Sequence, residues 1–196
     1  MIKQTTEIRQ KQIKKAVLQI ISTQGLGKLS TRNLAEKVGV TEGALFRHFK
    51  TKKDMLLSII DDVKYELLTQ QEKIVNSNFK ANERLFKFLC AHVKYLIKNK
   101  GITILLFSEA THMDDKEMKK RLYDILSFQK KCVKKIIKDG ITEGLWDKKI
   151  NTENVAMLYM GIPITLNIEL ILNREGFKQE HFCQRMTELI ERALRK

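Results

Sequence analysis

The chain has 196 residues and carries 37 Lys and Arg against 23 Asp and Glu, a net charge of +14 at pH 7. Apolar residues make up 43% of it, which favours a folded core over intrinsic disorder. Because the three cysteines, Cys90, Cys132 and Cys183, are odd in number and far apart, we expect free thiols in the cytoplasm and no disulfide framework.

The positive charge is concentrated near the N-terminus. Residues 1–53 contain 12 Lys and Arg and 3 Asp and Glu, a net charge of +9. The remaining residues, 54–196, contain 25 Lys and Arg and 20 Asp and Glu, a net charge of +5. A basic module beside a nearly balanced one is typical of proteins that bind nucleic acids.

The first predicted helix spans about residues 5–24. Its apolar side chains recur at helical spacing and should form one buried face, and Gly25 follows as a helix terminator. The members of this face are Ile13, Ala16, Val17, Ile20 and Ile21.

Two short helices joined by a tight turn are predicted next. A hydroxyl at Ser30 or Thr31 can cap the first helix by accepting a bond from a backbone N–H. Gly39 can end it in the left-handed conformation, and Thr41 can cap a second helix over residues 42–49. This is the layout of a helix-turn-helix, whose second helix reads the major groove of DNA.

The second helix should present four side chains to the bases, and lysines follow it where a phosphate backbone would run. The four are Thr41, Ala44, Arg47 and His48, and the lysines are Lys50, Lys52 and Lys53.

The pattern resembles the DNA-binding segment of the TetR family of bacterial repressors, over about residues 8–60. The family motif consists of Ser-Thr, then Gly-Val-Ser/Thr, then Gly-small-Leu-Tyr-x-His-Phe, followed by a Lys. In this chain the corresponding residues are Ser30, Thr31, Gly39, Val40, Thr41, Gly43, Ala44, Leu45, Phe46, Arg47, His48, Phe49 and Lys52. Phe46 departs from the family's usual Tyr, whose hydroxyl meets a phosphate. The resemblance, with the spacing above, predicts a DNA-binding set of Ser30, Thr31, Thr41, Glu42, Gly43, Ala44, Phe46, Arg47, His48, Lys50 and Lys52.

The rest of the chain also has helical periodicity, and no alternating strand pattern of useful length occurs. We therefore predict an all-α protein with an N-terminal three-helix helix-turn-helix domain over residues 1–53. A helical effector-binding and dimerisation domain should occupy residues 54–196. Its helices are predicted over residues 52–75, 82–98, 102–111, 116–139, 152–173 and 178–195.

The helix over residues 152–173 is apolar nearly all round, so it should be covered on several sides. In TetR-like proteins the last two helices of each subunit form a four-helix dimer interface. The resemblance therefore implies a homodimer through residues 152–195 that binds an inverted repeat in double-stranded DNA. A core helix of a monomer is the alternative. Since Asn167 and Glu169 interrupt the apolar run, we predict no membrane span.

The resemblance also implies a pocket for a small-molecule effector, mainly between residues 82 and 140. The apolar composition predicts an apolar or amphipathic effector, although apolar side chains at helical spacing more often belong to an ordinary core. The favoured lining residues are Phe86, His92, Leu105, Glu109, Phe128 and Tyr159, and the wider candidates are Phe88, Phe107, His112, Leu126, Asn167 and Glu169.

An enzyme is not predicted, because the sequence contains no G-x-S-x-G, P-loop, H-E-x-x-H or C-x-x-C motif. No cofactor or metal is expected either, since neither Cys90 with His92 nor His181 with Cys183 has the second ligand pair of a zinc site. The sequence predicts a transcriptional regulator, specifically a repressor released by its effector. A DNA-binding architectural or cell-division protein without an effector is the alternative.

Overall fold

The computed structural model describes residues 5–99, 102–173, 177 and 180–195, and this part of the chain is helical without strands. The helices are α1 Thr6–Gln24, α2 Thr31–Val38, α3 Glu42–Phe46, α4 Lys52–Val63, α5 Thr69–Val75, α6 Ala81–Lys98, α7 Ile102–His112, α8 Lys116–Thr142, α9 Thr152–Leu172 and α10 Phe182–Leu194. The all-α prediction is confirmed. The last helix begins at Phe182, and residues 178 and 179 of its predicted span lie outside the described residues.

Side-chain caps set the starts of the N-terminal helices as predicted. The Ser30 hydroxyl accepts a bond from the Asn33 N–H at 3.1 Å, and the Thr41 hydroxyl accepts one from the Ala44 N–H at 3.2 Å. Gly39 adopts the left-handed conformation, with φ at 71°, and ends α2. These local contacts place α2 and α3 in the helix-turn-helix arrangement.

The long helix predicted over residues 52–75 contains a wider turn. A π-helical segment, Lys64–Leu68, joins α4 to α5. Such segments occur frequently at functional sites. Here Leu67 of the segment and Val63 just before it line an interior cavity.

One continuous apolar core runs from the N-terminal helices into the body. Ile13 and Val17 of α1 and Leu56 and Ile60 of α4 are fully buried in it. The same core includes Phe88 of α6 and residues of α8 and α9. Because α4 contributes to the packing of both parts, the N-terminal module is joined to the body by packed side chains.

The helix α9 is buried on only part of its surface. Its length and apolar composition alone would allow it to cross a membrane. This is weak evidence for a membrane span, because core helices of soluble proteins have the same length and composition. In the fold α9 packs against α8 and α6. The sequence led us to expect cover on several sides, but apolar side chains of α9 are exposed in the isolated chain: Met157, Leu158, Ile164, Ile168, Ile171 and Leu172.

Candidate DNA-binding surface and effector cavity

Helix α3 carries one of the four predicted base-reading side chains, Ala44, and the other three lie in the residues that flank it. Leu45 and Phe49 are buried and anchor this part of the chain on the core. Ala44 is half-buried beside them. The exposed members of the predicted DNA-binding set are Ser30, Thr41, Glu42, Gly43, Phe46, Arg47 and Lys50.

The predicted span of α3 was too long by three residues, because the helix ends at Phe46 and not at residue 49. Arg47 and His48 lie in the turn that follows. Gln10 of α1 donates a hydrogen bond to the His48 carbonyl at 3.0 Å and holds this turn against α1. Arg47 remains exposed on the reading surface.

His48 does not fully face outward as predicted. Its side chain is half-buried, and its Nδ1 atom is buried with no hydrogen-bond partner within the described ranges. The turn that shortens α3 also brings this ring closer to the core. The geometry therefore favours a packing role for much of the His48 ring.

The two hydroxyls at the start of α2 make contacts within the module. Ser30 caps α2, as described above. Thr31 donates a hydrogen bond to Oε2 of Glu42 at 2.5 Å, which joins the start of α2 to the start of α3. Both residues were predicted to face the DNA. In the structure Ser30 also caps α2, and Thr31 also joins α2 to α3.

Lys52 and Glu109, predicted for two different sites, form an ion pair with each other. Lys52 Nζ lies 2.8 Å from Oε1 of Glu109, and the Glu109 side chain is only 4% exposed. Glu109 was expected to line an effector pocket, but its carboxylate is held by this pair and it does not border the cavity described below. The predicted phosphate contact of Lys52 would require the lysine to leave Glu109.

A second set of ion pairs reinforces this junction between α4 and the body. Lys53 Nζ lies 2.8 Å from Oδ2 of Asp115 and 3.4 Å from Oε2 of Glu117, at the start of α8. The Lys53 ammonium, through its hydrogen bond, holds the pKa of the half-buried Asp115 carboxyl below its usual range. The first residues of α4 are thus tied by charge to both α7 and α8.

The body contains a partly open cavity of about 250 Å³. It lies among α4, the π-helical segment, α6, α7, α8 and α9. The residues that line it are Val63, Leu67, His92, Thr103, Ile104, Phe107, Leu122, Ile125, Leu126, Gln129, Met160, Pro163, Ile164 and Asn167.

Of the six favoured effector residues, only His92 lines this cavity. Phe86 lies on the outside, 39% exposed, and Tyr159 packs on Phe88 in the core with ring centroids 5.7 Å apart. Leu105 and Phe128 are partly buried against the core and do not reach the cavity. These placements correct the predictions, because helical spacing identifies inward-facing residues but not which of them border empty space.

Among the wider candidates, Phe107, Leu126 and Asn167 line the cavity, whereas His112 and Glu169 are exposed elsewhere. Sequence reasoning missed Gln129. It lies on the buried face of α8, between Ile125 and Cys132, where the adjacent buried residues of the same helix are apolar. A polar residue in that register was the available signal for a polar wall.

The polar side chains of the cavity are uncharged. Burial lowers the pKa of His92 to about 3, so the ring is neutral at physiological pH. Gln129 Nε2 lies 3.3 and 3.4 Å from the two His92 ring nitrogens and donates to Oε1 of Gln71 at 3.2 Å. Asn167 Nδ2 donates to the Thr103 hydroxyl at 2.5 Å.

A separate groove of about 660 Å³ runs between α9 and α10. Apolar side chains form most of it, and Leu158 beside it is 56% exposed. The lining residues are Leu158, Gly161, Ile162, Thr165, Leu166, Glu169, Phe177, Phe182, Arg185 and Met186. An exposed apolar patch of this kind is typical of a protein–protein contact.

Comparisons with known proteins agree with this architecture. Residues 13–59 match the model of the bacterial regulatory proteins of the tetR family. The chain is 30% identical over 181 residues to the nucleoid occlusion factor SlmA of Alteromonas mediterranea, covering 92% of this chain and 89% of that protein. It is 27% identical over 138 residues to SlmA of Vibrio campbellii, covering 69% of this chain and 70% of the relative.

Solved structures share the fold. The ketosteroid transcriptional regulator KstR2 of Mycobacterium tuberculosis aligns with a TM-score of 0.80 at 18% identity, covering 96% of this chain and 95% of that one. The regulator FadR of Bacillus subtilis, solved with stearoyl-CoA, aligns with a TM-score of 0.75 at 19% identity, covering 92% and 96%. With the capped helix-turn-helix and the helical body, these matches establish that the chain belongs to the TetR family of bacterial DNA-binding regulators.

Proposed function

We propose that this protein is a homodimeric, sequence-specific repressor that acts in the cytoplasm and leaves its operator when a small molecule fills the body. This proposal rests on the exposed surface formed by α3 and the residues that flank it. It presents Thr41 and Arg47 on a module of net charge +9, a value that suits a nucleic-acid reader. Residues 1–53 would form the reading domain and residues 54–196 the regulatory domain.

On the reading surface, Thr41, Ala44 and Arg47 would meet base edges. Phe46, 43% exposed and without a hydroxyl, would contact a thymine methyl or a sugar. Lys50 would meet a phosphate, and Glu42 would hold Thr31. Ser30 and Gly43 would bring backbone close to the DNA, and Lys52 and His48 would contribute only after rearrangement.

Arg47→Ala tests the reading role. With a DNA fragment selected from the host genome, the substitution should weaken specific binding by about 1–3 kcal/mol and relax the sequence preference. Binding to random DNA should change far less. Fluorescence anisotropy on both DNAs measures this, and an equal loss on both would reassign Arg47 to the phosphate backbone.

The cavity supports control by a small molecule. Val63 and Leu67 line it from the α4 side and Phe107 lines it from α7, so a bound molecule would contact both. The same two helices are joined by the Lys52–Glu109 ion pair. A ligand that favours one arrangement of α4 and α7 would therefore shift the population of reading-domain orientations.

The apolar face of α9 and α10 supports the homodimer. Each subunit would cover the exposed side chains and the groove of the other around a two-fold axis. The same axis would place two α3 surfaces on one face of the DNA, matching an inverted repeat with half-sites about one turn apart.

A second function has its own support, because the SlmA relatives are named nucleoid occlusion factors. A DNA-binding role in cell division would use the same reading surface and need no effector. The two functions differ in ligand response. Small molecules that bind the cavity should release a repressor from its DNA, whereas a protein without an effector would hold the DNA unchanged.

A further inference from the structure

The cavity differs from an ordinary core void in having polar groups at its wall. His92, Thr103, Gln129 and Asn167 are all buried and all line it. Buried polar groups normally have hydrogen-bond partners, and each exception calls for an explanation. Polar side chains beside a cavity are a feature of ligand sites, in which a few such groups fix the orientation of a mainly apolar molecule.

Asn167 is the clearest exception. Its side chain is 7% exposed, and its Oδ1 atom is buried with no hydrogen-bond partner in the described part of the chain. The Nδ2 atom of the same amide is occupied by the Thr103 hydroxyl. An unpaired buried acceptor is destabilising, so a donor on a bound molecule would remove that penalty.

The cavity contains nothing that would neutralise a charge. None of its described lining residues is Lys, Arg, Asp or Glu, and its one histidine is kept neutral by burial. A carboxylate, phosphate or ammonium group would lose its hydration there without an opposite charge in return, which is strongly unfavourable. The cavity therefore discriminates against charged ligands.

The volume limits the size of the ligand. An engineered protein cavity of about 150 Å³ holds one benzene molecule. By proportion, the cavity of about 250 Å³ holds roughly ten non-hydrogen atoms. The apolar residues around it, among them Leu122, Ile125 and Met160, suit a hydrocarbon or aromatic body of that size.

Resting on the function proposed above, we propose that the effector is a small uncharged molecule with an apolar body and a hydrogen-bond donor, such as a hydroxyl or amide, that binds Asn167. Thr103 supports Asn167 from α7, so the same contact reaches the helix that carries Glu109. The ligand would thus act on α7, whose Glu109 pairs with Lys52 at the start of α4.

Calorimetric titration of the full chain at pH 7 tests the ligand class. The probes form two pairs matched in size, octanamide with octanoate and phenylacetamide with phenylacetate. Each uncharged probe should bind at least about tenfold more tightly than its carboxylate partner. Equal or tighter binding of both carboxylates, or no binding of any probe, would overturn the proposal.

Substitution of Asn167 tests the anchor. Asn167→Leu should weaken binding of the uncharged probes by about twofold to twelvefold, the loss of one hydrogen bond. Asn154→Leu makes the same change at an exposed position of α9 and should leave binding unchanged. If Asn167→Leu does not fold, Thr103→Val removes the supporting hydroxyl and should weaken the same probes. Unchanged affinity in the folded variant would overturn the anchor.

These outcomes separate the ligand class from the proposed function, because the titration contains no DNA. A preference for carboxylates would overturn only the uncharged class. If no probe binds and DNA binding is intact, the proposed ligand class is overturned. The DNA-binding role that needs no effector is then favoured. Probe binding that never releases DNA would retain the site and overturn the repressor proposal.

Discussion

The lysines that end the N-terminal module differ in their neighbours, and this should separate their effects on DNA binding. Lys50 is exposed, whereas Lys53 is paired with Asp115 and Glu117. A lysine that neutralises a phosphate releases a counterion, so Lys50→Ala should lower the slope of log affinity against log salt by about one. Titrations of one DNA fragment at several salt concentrations measure the slope.

Lys53→Ala is the matched control, since it removes the same charge from a residue held by the body. Its slope should stay within about half a unit of the unsubstituted protein. A larger change for Lys53 than for Lys50 would show that the ion pairs to α8 open on DNA, and would contradict the assignment of Lys50 as the phosphate contact.

Stability should fall in mild acid because of His92. Burial lowers its pKa from 6.5 to about 3, so between these values the unfolded chain binds a proton that the folded chain does not. The contribution of the neutral His92 ring to stability is therefore complete above pH 6.5 and is lost as the pH falls from 6.5 toward 3. At pH 5 the loss from this group should be about 2 kcal/mol, measured by urea unfolding.

His92→Gln should remove that part of the pH dependence, whatever its effect on stability at neutral pH. Identical pH profiles for the unsubstituted protein and His92→Gln would contradict a neutral buried ring.

At the scale of whole helices, the sequence was sufficient wherever local contacts decide the structure. Ser30, Gly39 and Thr41 were predicted from short-range cap chemistry, and they occupy those positions. The end of α3 depends instead on packing of the turn against α1 through Gln10, a contact 38 residues away in sequence. Such a contact leaves no trace in local periodicity.

The cavity could not be predicted because core and cavity walls have the same spacing. Tyr159 and Met160 are neighbours on α9 and both are buried, yet only Met160 borders the cavity. Likewise the sequence pattern predicts Glu109 as a polar pocket residue, whereas its ion pair with Lys52 depends on a contact between helices distant in sequence. Which inward-facing residues touch empty space depends on how helices distant in sequence pack.

Helix α8 depends on a glycine at its close approach to Trp146. A Cβ atom added at Gly140 would lie 2.2 Å from Cε3 of the buried Trp146 ring and 3.0 Å from the Ala81 Cβ. Gly140→Ala should therefore force the ring to move and destabilise the protein by about 1–3 kcal/mol. Urea unfolding at neutral pH measures the change.

Gly27→Ala is the matched substitution at an open position, since an added Cβ meets nothing within 4 Å there. It should change stability by less than about 1 kcal/mol, with stabilisation the expected direction. If Gly140→Ala were no more destabilising than Gly27→Ala, the close packing of α8 on Trp146 would be wrong.

For the whole molecule, the exposed apolar face of α9 and α10 predicts self-association. Leu158→Glu places a carboxylate on this face. In a two-fold symmetric dimer both subunits would then bury a carboxylate at the interface. Desolvation and repulsion should weaken the dimer by at least about tenfold, as measured by sedimentation equilibrium. Folding of the protomer should be unaffected, because the side chain is exposed there.

Tyr123→Glu provides the comparison, because Tyr123 is a similarly exposed side chain on α8, outside the α9–α10 groove. This variant should remain dimeric and bind DNA normally. Dissociation by Tyr123→Glu but not by Leu158→Glu would place the interface elsewhere and remove the basis for two α3 surfaces on one inverted repeat.

Sequence-specific binding by two reading surfaces is the central claim, and one measurement tests it most directly. Fragments retained from the host genome at physiological salt are sequenced, and the best fragment is titrated against random DNA of equal length. We predict an inverted repeat bound by two protomers at least about a thousandfold more tightly than random DNA. Fragments without a common repeat, bound no better than random DNA, would contradict a sequence-specific dimeric regulator.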